Sequence, residues 1–290
     1  MLAYLSKLTF YYFCNGLILP LVVILYLSPF IVAQQNAAIS IFPEIIYPGD
    51  VFVINIDSIN TPTAQFQGRS LIFYKNNGDC KALAFVDIST EPGKYPLTLN
   101  HNNKRITYNI VVRFKKFPVK NITLKSEKVF LSPENEKRAD AEESLLKSIW
   151  NNVTPYPLWK SDFIKPIDST ITSPFGVKRI INKKRESRHR GTDYRGKTGT
   201  TIKSINSGII ALTDNHFFGG NTIVINHGLG LYSVYLHLSN TNVSNGDRVI
   251  KGDILGLIGS TGRASGPHLH LSVKLYGESI NPESLYELDV

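Results

Sequence analysis

Cysteine is almost missing from this chain of 290 residues: Cys14 and Cys80 are the whole complement. That excludes a disulfide-dense scaffold and a zinc cluster built on several cysteines. Charge is thin as well, at 19% of residues, against 42% hydrophobic and 11% aromatic, a balance that excludes wholesale disorder and low-complexity architecture. Glycine is scarce before position 176, with five of the 21, and the other sixteen fall between Gly176 and Gly277. The shift marks a boundary between two kinds of module, in line with a length that suggests two domains able to bury cores. Acids are in deficit: 23 Asp+Glu face 32 Lys+Arg, a net charge of +9. Such a surplus implies an acidic partner, whether nucleic acid, an anionic membrane or a wall polymer.

The N-terminus narrows that choice. Lys7 is followed by uncharged residues from Leu8 to Ala33, including the apolar run Leu17–Leu27, and Ser28-Pro29 then breaks the run. A basic start and an apolar stretch read as a signal segment over 1–33, with Ala33-Gln34 as the cleavage point. Left uncut, the same stretch is long enough to anchor in a bilayer, and membrane contact is expected only through residues 8–33. Either way the rest is exported, to the periplasm or cell envelope, which argues against nucleic acid. No small-residue lipidation box surrounds Cys14. Cys80 is then expected to be a small buried hydrophobe.

The expected fold is mainly β. Residues 39–118 read as an immunoglobulin-like β-sandwich: Phe52, Ile54 and Ile56 alternate with other residues, as do Ile106, Tyr108, Ile110, Val112 and Phe114, a period of two. Asn76-Asn77-Gly78-Asp79 is a hairpin signal, since Asn and Gly tolerate positive φ. Residues 132–152 read as a linker helix, with Ser132 at the N-cap, Pro133 in the first turn, and Ala141, Leu145, Ile149 and Trp150 as the apolar stripe. Residues 160–285 read as a second domain of short antiparallel strands joined by glycine turns.

Six of the seven histidines lie between His189 and His270. His189-Arg-Gly-Thr-Asp193 sets a histidine and a carboxylate four apart. His268-Leu-His270 sets two imidazoles on one face of a strand, about 7 Å apart, and His237 sits in Tyr235-Leu-His-Leu238. Each motif alone is weak. Together, in one exported β domain, they point to metal binding, while His101, His216 and His227 read as structural.

The series His-x-Gly-x-Asp, Tyr-x-His-Leu-Ser and Thr-Gly-x-x-x-Gly-Pro-His-Leu-His resembles the lysostaphin-type zinc metallopeptidases, which cut peptides in bacterial cell walls. The similarity runs from Ser173-Pro-Phe-Gly176 to Asn281-Pro282 and includes the Asn226–Gly230 turn. It implies one Zn²⁺ per chain held by His189, Asp193 and His270. His237 and His268 would then be the unligated catalytic pair, working on a water activated by the zinc. Two imidazoles and one carboxylate suit zinc and leave its fourth position open. The implied substrate is peptidoglycan stem peptides, cut at D-Ala crosslinks or glycine bridges. The competing implication is a non-catalytic or autoinhibited wall-binding factor that regulates other hydrolases.

Between Lys178 and Lys197 stand nine Lys/Arg and only Glu186 and Asp193 as acids. This run leads into His189, so it is expected to rim the site and attract acidic stem peptides or anionic wall polymers.

Overall fold

The structure is a computed structural model that describes residues 8–14, 17–23, 39–58, 60–122, 131–182 and 185–290. Residues 1–36 and 37–290 are two compact units. In the first, strand β1 (Leu8–Cys14) pairs antiparallel with β2 (Leu17–Val23). The remainder of the segment read as signal or anchor lies outside the described residues. Among the described residues no helix is long and apolar enough to cross a membrane.

The second unit opens with eight strands: β3 (Ile39–Phe42), β4 (Val51–Ile56), β5 (Thr63–Phe66), β6 (Arg69–Leu71), β7 (Phe73–Asn76), β8 (Asp79–Phe85), β9 (Gly93–His101) and β10 (Lys104–Val112). They form two four-stranded sheets, β3-β4-β8-β7 and β10-β9-β5-β6. Alternation places Phe52, Ile54, Ile56 and Cys80 on one face, where they pack against Phe66, Leu97, Leu99 and Ile110. Cys80 is fully buried there, as a small hydrophobe would be. Asn76 pairs with Asp79 across a two-residue turn whose Asn77 and Gly78 have φ of 51° and 95°, the conformation this hairpin needs. The alternation does not predict the other face of β4. Val51 and Val53 are also buried, joining Leu83 and Phe85 in a core with Trp159, Phe163 and Tyr194. That sheet is therefore covered on both sides.

After β11 (Val119–Ile122) comes helix α1 (Pro133–Trp150), capped by Ser132, whose hydroxyl accepts the Asn135 N–H. Half of the expected stripe docks, Ile149 and Trp150, with Leu146 in place of Leu145. Leu145 is 41% exposed and Ala141 is exposed, while Leu146, Ile149 and Trp150 pack on Leu212, Val224, Tyr232 and Val234. The cause is Glu142, which occupies the docked face because its carboxylate accepts the Phe217 N–H at 2.8 Å and pairs with Arg138 at 2.7 Å.

The remaining strands are β12 (Ile171–Ser173), β13 (Lys178–Ile181), β14 (Arg185–Arg188), β15 (Thr192–Arg195), β16 (Thr201–Lys203), β17 (Gly208–His216), β18 (Gly220–Gly228), β19 (Leu231–Thr241), β20 (Arg248–Val249), β21 (Ile254–Ile258), β22 (His268–Leu275) and β23 (Glu278–Ile280), followed by helix α2 (Pro282–Leu285). The large antiparallel sheet follows the path β12-β15-β22-β19-β18-β17-β20, and a small sheet follows β11-β13-β14. The adjacency of β15, β22 and β19 is what assembles the histidines.

Candidate metal centre

Asp193 on β15 pairs directly with His270 on β22, and Arg195 with His268. Residues opposite one another, or two apart on one strand, share a face, so Asp193, His268 and His270 project together. His189 enters from the connection between β14 and β15. His237 would point away on a regular β19, because its neighbour Leu236 is the partner of His270. A bulge corrects this. Leu236 and His237 stand opposite the single residue Thr222, between the pairs Ile223–Tyr235 and Asn221–Leu238, and His237 has φ of 67°. An extra residue in the left-handed region re-aims a side chain, and the His237 ring lies 4.8 Å from that of His268.

Three donor atoms converge. His189 Nε2 is 3.1 Å from Asp193 Oδ1 and 3.1 Å from His270 Nδ1, and His270 Nδ1 is 2.7 Å from Asp193 Oδ1. The outer hydrogen bonds decide what these atoms are. His189 Nδ1 lies 2.9 Å from the Pro174 carbonyl, which only accepts, so Nδ1 carries the proton and Nε2 a lone pair. Ser272 donates its one hydroxyl proton to the Arg190 carbonyl at 2.9 Å and so accepts from His270 Nε2 at 2.9 Å, leaving a lone pair on His270 Nδ1. Two imidazole lone pairs and a carboxylate oxygen thus face one another, an arrangement of mutual repulsion that a cation relieves. Bond lengths of about 2.0–2.1 Å in a tetrahedral zinc site would space ligands about 3.3 Å apart, close to these separations. Two histidines and one aspartate within 4.8 Å of one another fit a zinc ion.

The carboxyl responds to positive charge at this point: burial alone would raise Asp193, but the His189 and His270 rings, in the forms that carry a proton towards it, outweigh burial and hold the group well below the usual carboxylate range. Burial pushes His270 down, against the pull of Asp193. His237 is pushed down to about 4, chiefly by burial, with its bond to the Thr261 carbonyl opposing.

His237 and His268 are arranged alike. His237 Nδ1 donates to Thr261 O at 3.0 Å and His268 Nδ1 to Gly266 O at 2.8 Å. A neutral ring held in this way presents its Nε2 lone pair, and the Nε2 of His268 lies 3.8 Å from Asp193 Oδ1. The other histidines stand apart. His227 is fully buried, donating to Ser207 O and accepting from Ser233. His101 bonds Ser58, and His216 is buried near Asp214.

Several contributors escape a reading of side chains. Pro174, Thr261 and Gly266 act through carbonyls. Gly262 has φ of 68°, and a Cβ there would meet Gly220 N at 2.2 Å, so the Thr-Gly dipeptide lets the turn carrying the Thr261 carbonyl press against β18. Arg179, hidden in the basic run, brings Nη2 to 3.7 Å from Asp193 Oδ2.

Residues 187–282 match the profile of peptidase family M23. Over 119 residues the chain is 40% identical to peptidoglycan DD-endopeptidase ShyA of Vibrio cholerae, covering 40% of this chain and 28% of that protein. Over 123 residues it is 35% identical to DD-carboxypeptidase/endopeptidase Mpg of Neisseria meningitidis, covering 42% and 28%. The chain thus spans little more than a quarter of the length of these curated relatives. The crystal structure of a Pseudomonas aeruginosa protein assigned to peptidase M23 superposes with a TM-score of 0.66 at 28% identity, covering 83% of this chain and 94% of that one. The match to peptidase family M23 is confined to residues 187–282, a third of the chain, and takes in His189, Asp193, His237, His268 and His270.

Proposed function

We propose that this chain is a zinc-dependent endopeptidase that hydrolyses peptide crosslinks of bacterial peptidoglycan, with His189, Asp193 and His270 as metal ligands. The observation that carries the reading is the set of tautomers: four imidazoles each have one nitrogen tied to the scaffold and the other turned to a common centre beside a carboxylate. The names of the two relatives favour the D,D-bond between stem peptides over a glycine bridge. Bound zinc would supply Lewis acidity, polarising a carbonyl and acidifying water.

The chain's own residues do the rest. His237 Nε2 and His268 Nε2 are the two positions where a proton is taken up and given back, and the carbonyls of Thr261 and Gly266 keep both rings in the accepting tautomer. Leu269 and Leu271, buried between the site residues of β22 and the core behind them, hold the two imidazoles at fixed spacing. The basic run around His189 supports attraction of acidic stem peptides and anionic wall polymers. The leader-like residues 1–33 support export, cleaved or anchored.

The test is zinc content and hydrolysis of purified peptidoglycan. His189→Ala and Asp193→Ala are expected to lose stoichiometric zinc. His268→Ala is expected to keep zinc and lose about 10²–10⁴ in turnover. Full zinc occupancy in both ligand variants, or undiminished turnover in the third, would sink these assignments.

A further inference from the structure

The small sheet β11-β13-β14 stands beside the metal centre, and its two faces differ in how their charge is matched. Its register places Val119, Lys178 and Arg188 in one row and Lys120, Arg179 and Ser187 in the next. Successive rows project to opposite faces. On the face of Lys178 and Arg188 the cations meet acids. Lys178 Nζ pairs with Glu186 at 2.9 Å, and a cleft of about 410 Å³ brings Lys178, Arg188 and Arg190 together with Asp87, Glu186 and Glu278.

The face of Lys120 and Arg179 turns to the metal centre and is not balanced in this way. Arg179 is half-buried, and its one ion pair among the described residues is the 3.7 Å approach to Asp193 Oδ2, the oxygen turned away from the cluster. Lys120 is exposed directly beside it, on a parallel strand from a distant part of the chain. Neighbouring strands lie about 4.8 Å apart, so two like-charged side chains leave the sheet from adjacent positions. Asp193 is a single carboxylate already engaged by two imidazoles, and with a divalent cation in place the whole locus is strongly positive. Placing a second cation there has a physical cost that an incoming anion would remove.

We propose that Arg179 and Lys120 form a carboxylate-binding subsite at the rim of the metal centre, taking a free carboxylate of an acidic peptide. The guanidinium offers a planar fork and the ammonium a mobile point charge, a pairing suited to one carboxylate. The proposal deepens the peptidase reading and rests on it. Lys120 lies outside the residues matched to the family, so the subsite is a property of this chain's upstream strand.

The experiment titrates the zinc-loaded full chain with stem tetrapeptides whose carboxylates are free or amidated. Free peptide is expected to bind at least about tenfold tighter, the size of one charge-assisted hydrogen bond. Arg179→Gln and Lys120→Gln are expected to bring that ratio towards one, and Lys120→Arg to retain it. Lys178→Gln, on the opposite face, is expected to leave it unchanged. Zinc content is measured in parallel because Arg179 touches a ligand. Should Arg179→Gln lose metal or fold, Lys120→Gln decides, since Lys120 is exposed and its position is remote from the ligands in sequence. A ratio near one in the unaltered chain, a ratio undiminished by Lys120→Gln, or an equal loss in Lys178→Gln overturns the subsite. Absence of crosslink cleavage with the preference intact would instead overturn the peptidase reading.

Discussion

A methyl group at Gly191 would sit 2.5 Å from the Leu271 carbonyl oxygen, 2.6 Å from His270 Nε2 and 2.7 Å from Ser272 Oγ, the last two being the atoms whose hydrogen bond sets the His270 tautomer. The glycine of His-x-Gly-x-Asp is therefore there for space. Gly191→Ala is expected to fold yet bind zinc about 10–100-fold more weakly, the usual size of a lost orienting contact; competition with a chelator of known affinity reads it, and unchanged affinity would refute the explanation. His227 shows the opposite use of an imidazole. Burial pushes it down to about 4, against the bond to Ser207, from about 6.5 in an unfolded chain. As pH falls the unfolded state binds the proton first, so this stability is complete above about pH 6.5 and is lost on the way down to about 4. The difference corresponds to about 3 kcal/mol. Urea midpoints measured at pH 7 and pH 4.5 should fall less in His227→Gln than in the unaltered chain; equal falls would contradict this.

Helix α1 and the turn before β18 act as one element. Arg138 donates to Asn215 O, Glu142 accepts the Phe217 N–H, and two residues beyond Phe217 the Gly219 carbonyl accepts the His237 N–H. Glu142→Ala removes the carboxylate from a half-buried donor, at a cost of about 1–3 kcal/mol. Faster amide exchange is expected at Phe217 to Gly220 than in the unaltered chain, with reduced turnover because the bulge that aims His237 loses support; exchange confined to α1 would count against the coupling. Ser132, Pro133 and the Asn77-Gly78 turn could be read in the sequence because capping and positive φ are local demands on residue type. That His189, Asp193, His237, His268 and His270 lie near one another could be anticipated because imidazoles and a carboxylate are rare and chemically distinct. Glu142 on a docked face could not, because hydropathy assigns a carboxylate to solvent and only tertiary contact supplies its donor. The bulge at His237 was equally hidden, since nothing in Tyr-Leu-His-Leu marks an extra residue in the ladder. Carbonyl anchors such as Thr261 O belong to no residue type at all.

Across residues 37–290 the β3-β4-β8-β7 sheet and the metal-site sheet share one interior. Val51, Val53, Tyr74, Leu83 and Phe85 lie in the same core as Trp159, Phe163, Tyr194 and Leu271, and the Tyr74 ring meets Trp159 edge-on at 5.4 Å. Polar contacts reinforce the seam. Asn281 caps α2 through its Oδ1, donates its side-chain amide to Asp50 at 2.9 Å, and donates its backbone N–H to Gly49 O. A change in glycine content along the chain marks a boundary of composition, whereas this burial makes the two parts depend on each other for cover. Unfolding of the zinc-loaded chain is therefore expected as one calorimetric transition. Trp159→Ala should lower that single transition by about 3–5 kcal/mol, the cost of emptying a large buried aromatic site. Asn281→Ala should lower it by about 1–3 kcal/mol, through a lost cap and a buried Asp50 carboxylate that keeps, among the described residues, only the Tyr47 N–H and Lys115 as partners. Were the parts independent, Trp159→Ala would split the trace, shifting the metal-dependent portion and leaving the other in place. Two separated transitions, only one of them moved by chelation, would show that the shared interior does not couple them; one transition moved as a whole by chelation and by both substitutions is what the seam requires.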